Sequence, residues 1–240
     1  MRAAGAGTGE PAGSEVRARF ERIYHTLRTR ICLLDHAPGE RLREEDIAEE
    51  FNTSRTPVRR VLARLEDEGL LRSVHGVGTI VTDIHIDDLQ QVYQLRVELA
   101  ELIGRISPVR PDRAEMEEYH RQLARCAVLI EKPDAREFAR LNMEFFHLLM
   151  RLTANEPLRA ISERLYYQTT RIWLQTASKL QAYEDMLVNE IRVFQREMAD
   201  IVAAIECGDL HVVGHIRRAH VAMSFARLHA AAHPGQAADG

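Results

Sequence analysis

Four arginines, Arg55, Arg59, Arg60 and Arg64, fall between Phe51 and Leu65 with no acid among them. Acids crowd the stretches on either side, 44–50 and 66–68. A short cationic stripe inside an acidic chain is what a local phosphate-binding surface looks like. On a wheel at about 100° per residue, Val58, Val61, Leu62 and Leu65 share one arc, and Thr56, Arg59, Arg60 and Arg64 share the opposite one. The apolar arc docks on neighbouring helices, and the arginine arc faces outward. A guanidinium fork can grip guanine O6 and N7, or a phosphate, with two hydrogen bonds. The hydroxyls of Ser54 and Thr56, beside helix-start amides, can hold a backbone phosphate. The chemistry on offer is recognition rather than catalysis.

The surrounding pattern supplies elements to position that stripe. Residues 14–34 read as a first helix, with Ser14 as N-cap and Val16, Phe20, Ile23, Leu27, Ile31 and Leu34 at three- and four-residue spacing. Ala37-Pro38-Gly39 breaks it. A short second helix fits 44–51, with Ile47, Ala48 and Phe51 inward. Asn52-Thr53-Ser54 makes a polar turn. The arginine helix then runs over 56–68, with Pro57 in its first turn and Gly69 at its end. Two β-type runs, 70–74 and 79–82, flank His75-Gly76-Val77-Gly78 and read as a hairpin. This series is that of a winged helix-turn-helix. The second helix braces, the third enters the major groove N-terminus first, and the hairpin tip at His75 and Gly76 reaches the neighbouring minor groove.

Beyond residue 87 the pattern is helical throughout, over 87–106, 111–131, 134–153, 157–182, 187–207 and 209–232. The expected fold is therefore mainly α: a winged helix-turn-helix over 14–83 and an all-helical domain over 87–232. Residues 1–13 and 233–240, rich in Ala, Gly and Pro, read as disordered tails.

The 240 residues, 45% of them hydrophobic, are enough for a real core, and the net charge of −4 excludes blanket nucleic-acid binding. No apolar run approaches the ~20 residues of a membrane span, so no membrane partner is expected. Three scattered cysteines, Cys32, Cys126 and Cys207, make neither a disulfide framework nor a cysteine metal site. A cytoplasmic location is the corresponding expectation. Glycine-rich nucleotide loops are absent, and Cys126 with His120 lacks the setting of a nucleophile, so no enzyme is expected.

Residues 38–81, PGERLREEDIAEEFNTSRTPVRRVLARLEDEGLLRSVHGVGTIV, resemble the winged helix-turn-helix of the GntR family of bacterial transcription regulators. The stretch 54–70, SRTPVRRVLARLEDEGL, carries the resemblance most specifically. It implies operator contacts at the positions of Ser54, Arg55, Thr56, Arg59, His75 and Gly76. Arg43, at the start of the second helix, is a further candidate contact, as is Arg60 on the outward arc. Glu45 stands where some relatives carry an arginine contact.

The helical remainder resembles the FadR-type effector domain, the FCD class. That resemblance implies a homodimer on a pseudo-palindromic DNA operator, probed by a small organic acid or acyl compound in the helical core. Effector binding would then alter the spacing of the two DNA-binding heads, and repression is the commoner sense.

Many relatives hold a divalent metal in this domain with one Asp or Asn and three His. Here the matching positions read Asn142, Phe146, Met198 and His220, the first two counted back from Asn155, with His147 one residue late; a one-residue gap in the loop restores His147 but puts Met143 at the Asp or Asn position. At best two of four ligands survive, and methionine is a poor substitute at a nitrogen–oxygen site. The expectation is no metal cofactor and an apolar-filled pocket with effector candidates Arg96, Asn142, Phe146, Arg171, Met198 and His220. Arg96 and Arg171 are the inward cations that could meet a carboxylate. Tyr166, Tyr167 and Trp173 read as core or dimer interface, and His211 with His215 as helix surface. A constitutive DNA-binding dimer without effector, and a metal-dependent version of the same domain, stay open as alternatives.

Overall fold

The computed structural model describes residues 11–177 and 183–233. The expected tails at 1–10 and 234–240, and the helix end at 178–182, lie outside the described residues. The chain divides into two compact units, 1–83 and 84–240.

The first unit opens on helix α1, Pro11–Cys32. It begins before Ser14, so Ser14 is a helical residue rather than a cap, and residues 11–13, read as tail, belong to the helix. Ile23, Leu27 and Ile31 form its buried stripe at 0% exposure, whereas Val16 is 57% exposed and extends the pattern without burying it. A two-stranded hairpin was expected; the structure has three strands. Strand β1, Arg41–Leu42, precedes α2, Glu44–Glu50, and α3, Arg55–Asp67. Strands β2, Leu71–Val74, and β3, Gly78–Val81, follow. The antiparallel order is β1-β3-β2, with Arg41 opposite Ile80 and Leu71 opposite Val81. A two-residue strand has no detectable period of its own, which is why it is invisible in the sequence. On α3, Val58, Val61 and Leu65 are fully buried and Leu62 nearly so, as are Leu70, Leu71 and Val81 beyond it.

The β2–β3 turn closes through the Val77 amide donating to the Val74 carbonyl at 3.0 Å. Gly76 at its centre has φ +76°, a left-handed conformation that favours glycine and leaves the tip open.

The second unit starts with a 3-10 turn, Asp87–Leu89, and continues through α4, Gln90–Leu102, α5, Arg113–Glu131, and α6, Ala135–Met150. It ends with α7, Glu156–Ala177, α8, Tyr183–Glu206, and α9, Leu210–Ala232. Asp112 and Glu115 form a reciprocal capping box at the start of α5. Asp209 caps α9 through the amides of His211 and Val212. Helix α6 is central: Phe145 packs edge-on against both Tyr119 and Phe194.

Gly214 sits where α9 passes the end of α4. A Cβ there would stand 2.4 Å from the Glu101 carbonyl oxygen and 2.7 Å from that of Ile103, both backbone atoms that cannot swing aside. At an open helix position Gly→Ala gains about 1 kcal/mol. Here overpacking reverses the sign, and Gly214→Ala is expected to cost about 1–3 kcal/mol. Thermal unfolding checks this; a stabilised variant would mean that α9 is not seated there.

Candidate functional site

The first unit presents the start of α3. Ser54 is its N-cap with extended backbone, but its side chain makes no capping hydrogen bond. The helix start is thus uncapped, and the Ser54 hydroxyl is exposed beside it. Thr56, Arg55, Arg59 and Arg60 are exposed as well. Arg55 and Arg59 point back to α2. Arg55 donates through Nε and Nη2 to Glu44 Oε2 at 3.0 and 2.9 Å, and Arg59 Nε donates to the same oxygen at 2.7 Å. Arg55 also pairs with Glu45 at 2.8 Å. The arginines in turn hold the Glu44 carboxyl below the usual carboxylate range against a desolvation that raises it.

The four arginines of the stripe are therefore not one group. Arg60 lies 5.6 Å from the centre of the Phe20 ring, on the flank facing α1. Arg64 lies 3.7 Å over the Tyr24 ring and pairs with Glu21 and Glu68, so it bonds α1 to α3 instead of facing outward. Arg43 is exposed at the N-cap of α2. His75 and Gly76 are exposed at the hairpin tip. Within this unit Ser54, Arg55, Thr56 and Arg59 cluster at one helix start, with acids of α2 woven through them.

The second unit holds a partly open cavity offering about 80 Å³ to the centres of water molecules, room for several. Helices α4, α6, α7, α8 and α9 line it. Of the six effector candidates, Arg96, Asn142 and His220 reach its wall. Phe146 does not: it stacks on Tyr166 at 3.8 Å, its ring nearly parallel. Met198, at 0% exposure, and Arg171, at 1%, are buried away from the wall. Sequence reasoning missed Tyr93, Glu190, Arg217 and Ser224, and set aside Tyr166 and Trp173, all of which line the cavity. Helix α9 contributes residues 217, 220, 221, 224 and 228, the three- and four-residue spacing of one face. That spacing was the available signal, hidden because α9 carries apolar and polar residues all round.

The charges here are mostly paired. Arg217 Nη1 donates to Glu197 Oε1 at 2.7 Å, with both side chains at least 95% buried by area. His220 Nδ1 stands 3.1 Å from Glu197 Oε2, out of line for a hydrogen bond. Burial, and then the cations Arg217, Arg227 and Arg96, hold the His220 pKa well below its ordinary value, so the ring is neutral at pH 7. Arg227 chelates Glu190 at 2.5 and 3.0 Å. Arg96 differs. It donates to the Thr169 hydroxyl at 2.5 Å and lies 5.0 and 5.3 Å from the Tyr93 and Tyr166 ring centres. Among the described residues no carboxylate forms an ion pair with it. Burial, and then the nearby Arg217 cation, pull its pKa down against the Tyr93 and Tyr166 hydroxyls, and its side chain lines the cavity.

The metal-ligand positions come apart in space. Asn142 accepts from the Tyr166 hydroxyl at 3.0 Å. His147 bonds Tyr167 and lines a groove with Glu115, Glu144 and Arg151, not the cavity. Asn142 and His220 are thus the two donors at the cavity from the four positions. His211 and His215 are exposed.

Comparison with known proteins agrees with this layout. The family model described as bacterial regulatory proteins, gntR family, matches residues 19–81, and the FCD domain model matches 91–223. The HTH-type transcriptional regulator YdhC of Bacillus subtilis is 28% identical over 147 residues, covering 61% of this chain and 66% of that protein. An HTH-type regulator of Agrobacterium vitis is 33% identical over 105 residues, and the chain spans 61% of its length. A probable D-xylose utilization operon transcriptional repressor of Paenarthrobacter nicotinovorans is 28% identical over 201 residues, 84% of this chain and 83% of the relative. The structure of Escherichia coli McbR/YncC superposes with a TM-score of 0.73 at 19% identity, covering 88% of this chain and 97% of that one, a likeness of fold. No described helix is long and apolar enough to cross a membrane. The chain belongs to the GntR family of bacterial regulatory proteins, in its FCD-domain branch, a family of DNA-binding transcription regulators rather than enzymes.

Proposed function

We propose that this protein is a homodimeric repressor that binds a pseudo-palindromic operator and responds to a small organic anion in the helical unit. Arg55, Arg59, Ser54 and Thr56 reach base edges and phosphates from the start of α3 in the major groove. Arg43 and Arg60 add flanking phosphate contacts, and His75 with Gly76 reaches the minor groove. The observation that carries the effector half is Arg96. Around the cavity Arg217 is neutralised by Glu197 and Arg227 by Glu190, which leaves one guanidinium whose partners are a hydroxyl and aromatic rings. A buried cation in that state is relieved by one negative charge. The effector class is therefore a monocarboxylate or similar monoanion, with neutral His220 and Asn142 as uncharged hydrogen-bonding groups. Two donors do not fit the four-ligand metal centre of the resembled relatives, so effector binding proceeds without a cavity metal.

The test is operator selection from a DNA library, followed by titration with a panel of carboxylates. One acid is expected to change operator affinity by about 5–150-fold, the usual range of allosteric coupling. Arg96→Met is expected to keep operator binding and abolish that response. A response that persists in Arg96→Met removes Arg96 from the site. No response to any acid favours the constitutive dimer.

A further inference from the structure

Asp87, His229 and His233 come together outside the cavity. Asp87 opens the 3-10 turn at the start of the second unit, and the two histidines stand one turn apart at the end of α9. His229 Nε2 lies 3.6 Å from Asp87 Oδ1, and His233 Nε2 lies 3.6 Å from Asp87 Oδ2. The candidate ligand atoms are all within 4.8 Å of one another. The two rings face each other with centres 4.6 Å apart. At 3.6 Å neither contact is a hydrogen bond. That gap has a size: two ligands bound at about 2.1 Å in tetrahedral geometry stand about 3.4 Å apart.

A second observation concerns the proton. His233 Nδ1 lies 3.2 Å from the His229 carbonyl oxygen. A carbonyl only accepts, so Nδ1 is the donor there, and Nε2, the nitrogen that faces Asp87, is the ligand atom of the neutral ring. This is the outer-shell bond that orients metal-ligating histidines.

We propose that Asp87, His229 and His233 form a divalent metal site of the zinc class. Two imidazoles and one carboxylate at this spacing favour Zn²⁺ over hard cations such as Mg²⁺, with water completing the tetrahedron. The ion clamps the first turn of the helical unit to the end of its last helix. The site stands apart from the cavity and from the four-ligand positions considered above, and it departs from the expectation of no metal cofactor. No motif marks it, because its ligands are about 140 residues apart in the chain and only the i,i+4 histidine pair is local.

The experiment is zinc titration of the metal-stripped full chain by calorimetry, with thermal unfolding alongside. The expected result is one Zn²⁺ per chain and, at a hundredfold excess over Kd, a rise in melting temperature of about 5–10 °C. Asp87→Asn is expected to weaken binding about tenfold or more, and His229→Ala with His233→Ala to abolish it. These residues lie at the surface edge of the unit, and circular dichroism shows whether each variant is folded. A His211→Ala/His215→Ala variant is expected to bind normally. Zinc uptake unchanged in the His229/His233 variant, uptake lost only in the His211/His215 variant, or no uptake by the unaltered protein would each overturn the site.

Discussion

An Arg217→Met variant is expected to be less stable than the unaltered protein by about 3–5 kcal/mol at pH 7, because it leaves a buried carboxylate without its ion-pair partner. Glu197 and Arg217 are each 4% exposed and joined by a 2.7 Å hydrogen bond between α8 and α9. Burial already pushes the Glu197 pKa up, and Arg217 is the first force that opposes it. Without Arg217, Glu197 must be buried charged or take up a proton, and both oppose folding at neutral pH. Replacing both partners by apolar residues removes the uncompensated charge. An Arg217→Met/Glu197→Leu double variant is therefore expected to recover most of the loss, since such replacements of buried pairs are often neutral or stabilising. Urea unfolding of the unaltered protein, both single variants and the double variant measures the coupling. A single variant that loses under about 1 kcal/mol would show that the pair is more hydrated than its burial implies.

Arg55→Ala and Arg59→Ala are each expected to weaken operator binding by about 1–3 kcal/mol, roughly tenfold or more in Kd. The free protein adds a term to this prediction. Both guanidinia are held on Glu44 Oε2, so each must leave that carboxylate to grip DNA. The pairs are solvent-exposed and weak, so the exchange costs little. Because the two arginines share one acceptor, their effects should not add: removing one strengthens the hold of Glu44 on the other. The double variant is expected to lose less than the sum of the singles. An arginine that reads a base relaxes sequence preference when removed; one that holds a phosphate lowers the salt slope by about one instead. Glu44→Gln frees Arg59 and leaves Arg55 with Glu45 alone, and is expected to raise affinity for non-specific DNA. Fluorescence anisotropy across a salt series separates these outcomes, and unchanged operator affinity in both single variants would remove α3 from the interface.

Much of this protein was legible in its residues taken alone. The period of Val58, Val61, Leu62 and Leu65 assigned α3 its buried face, because helical spacing puts such residues on one arc whatever else they touch. The same rule located the six helices of the second unit to within a few residues, with proline, glycine and aspartate marking their ends. Strand β1 escaped because two residues carry no period. The wheel placed Arg64 with Thr56, Arg59 and Arg60; Tyr24, on another helix, draws it away.

The cavity divides along the same line. Arg96 and His220 were found by residue type, an inward-capable cation and a family position. Arg217 and Glu197 were not, since a buried pair looks in sequence like two surface charges. Whether a charge is paired, and which wall of a cavity a residue faces, depends on helices packed from distant parts of the chain. Chemistry and local conformation were determined by the sequence through short-range periodicity. Charge compensation at the cavity, the shared hold of Glu44 on two arginines, and the meeting of Asp87 with His229 and His233 were decided only by tertiary structure, because each joins residues whose separation in the chain exceeds the reach of any helical or strand repeat.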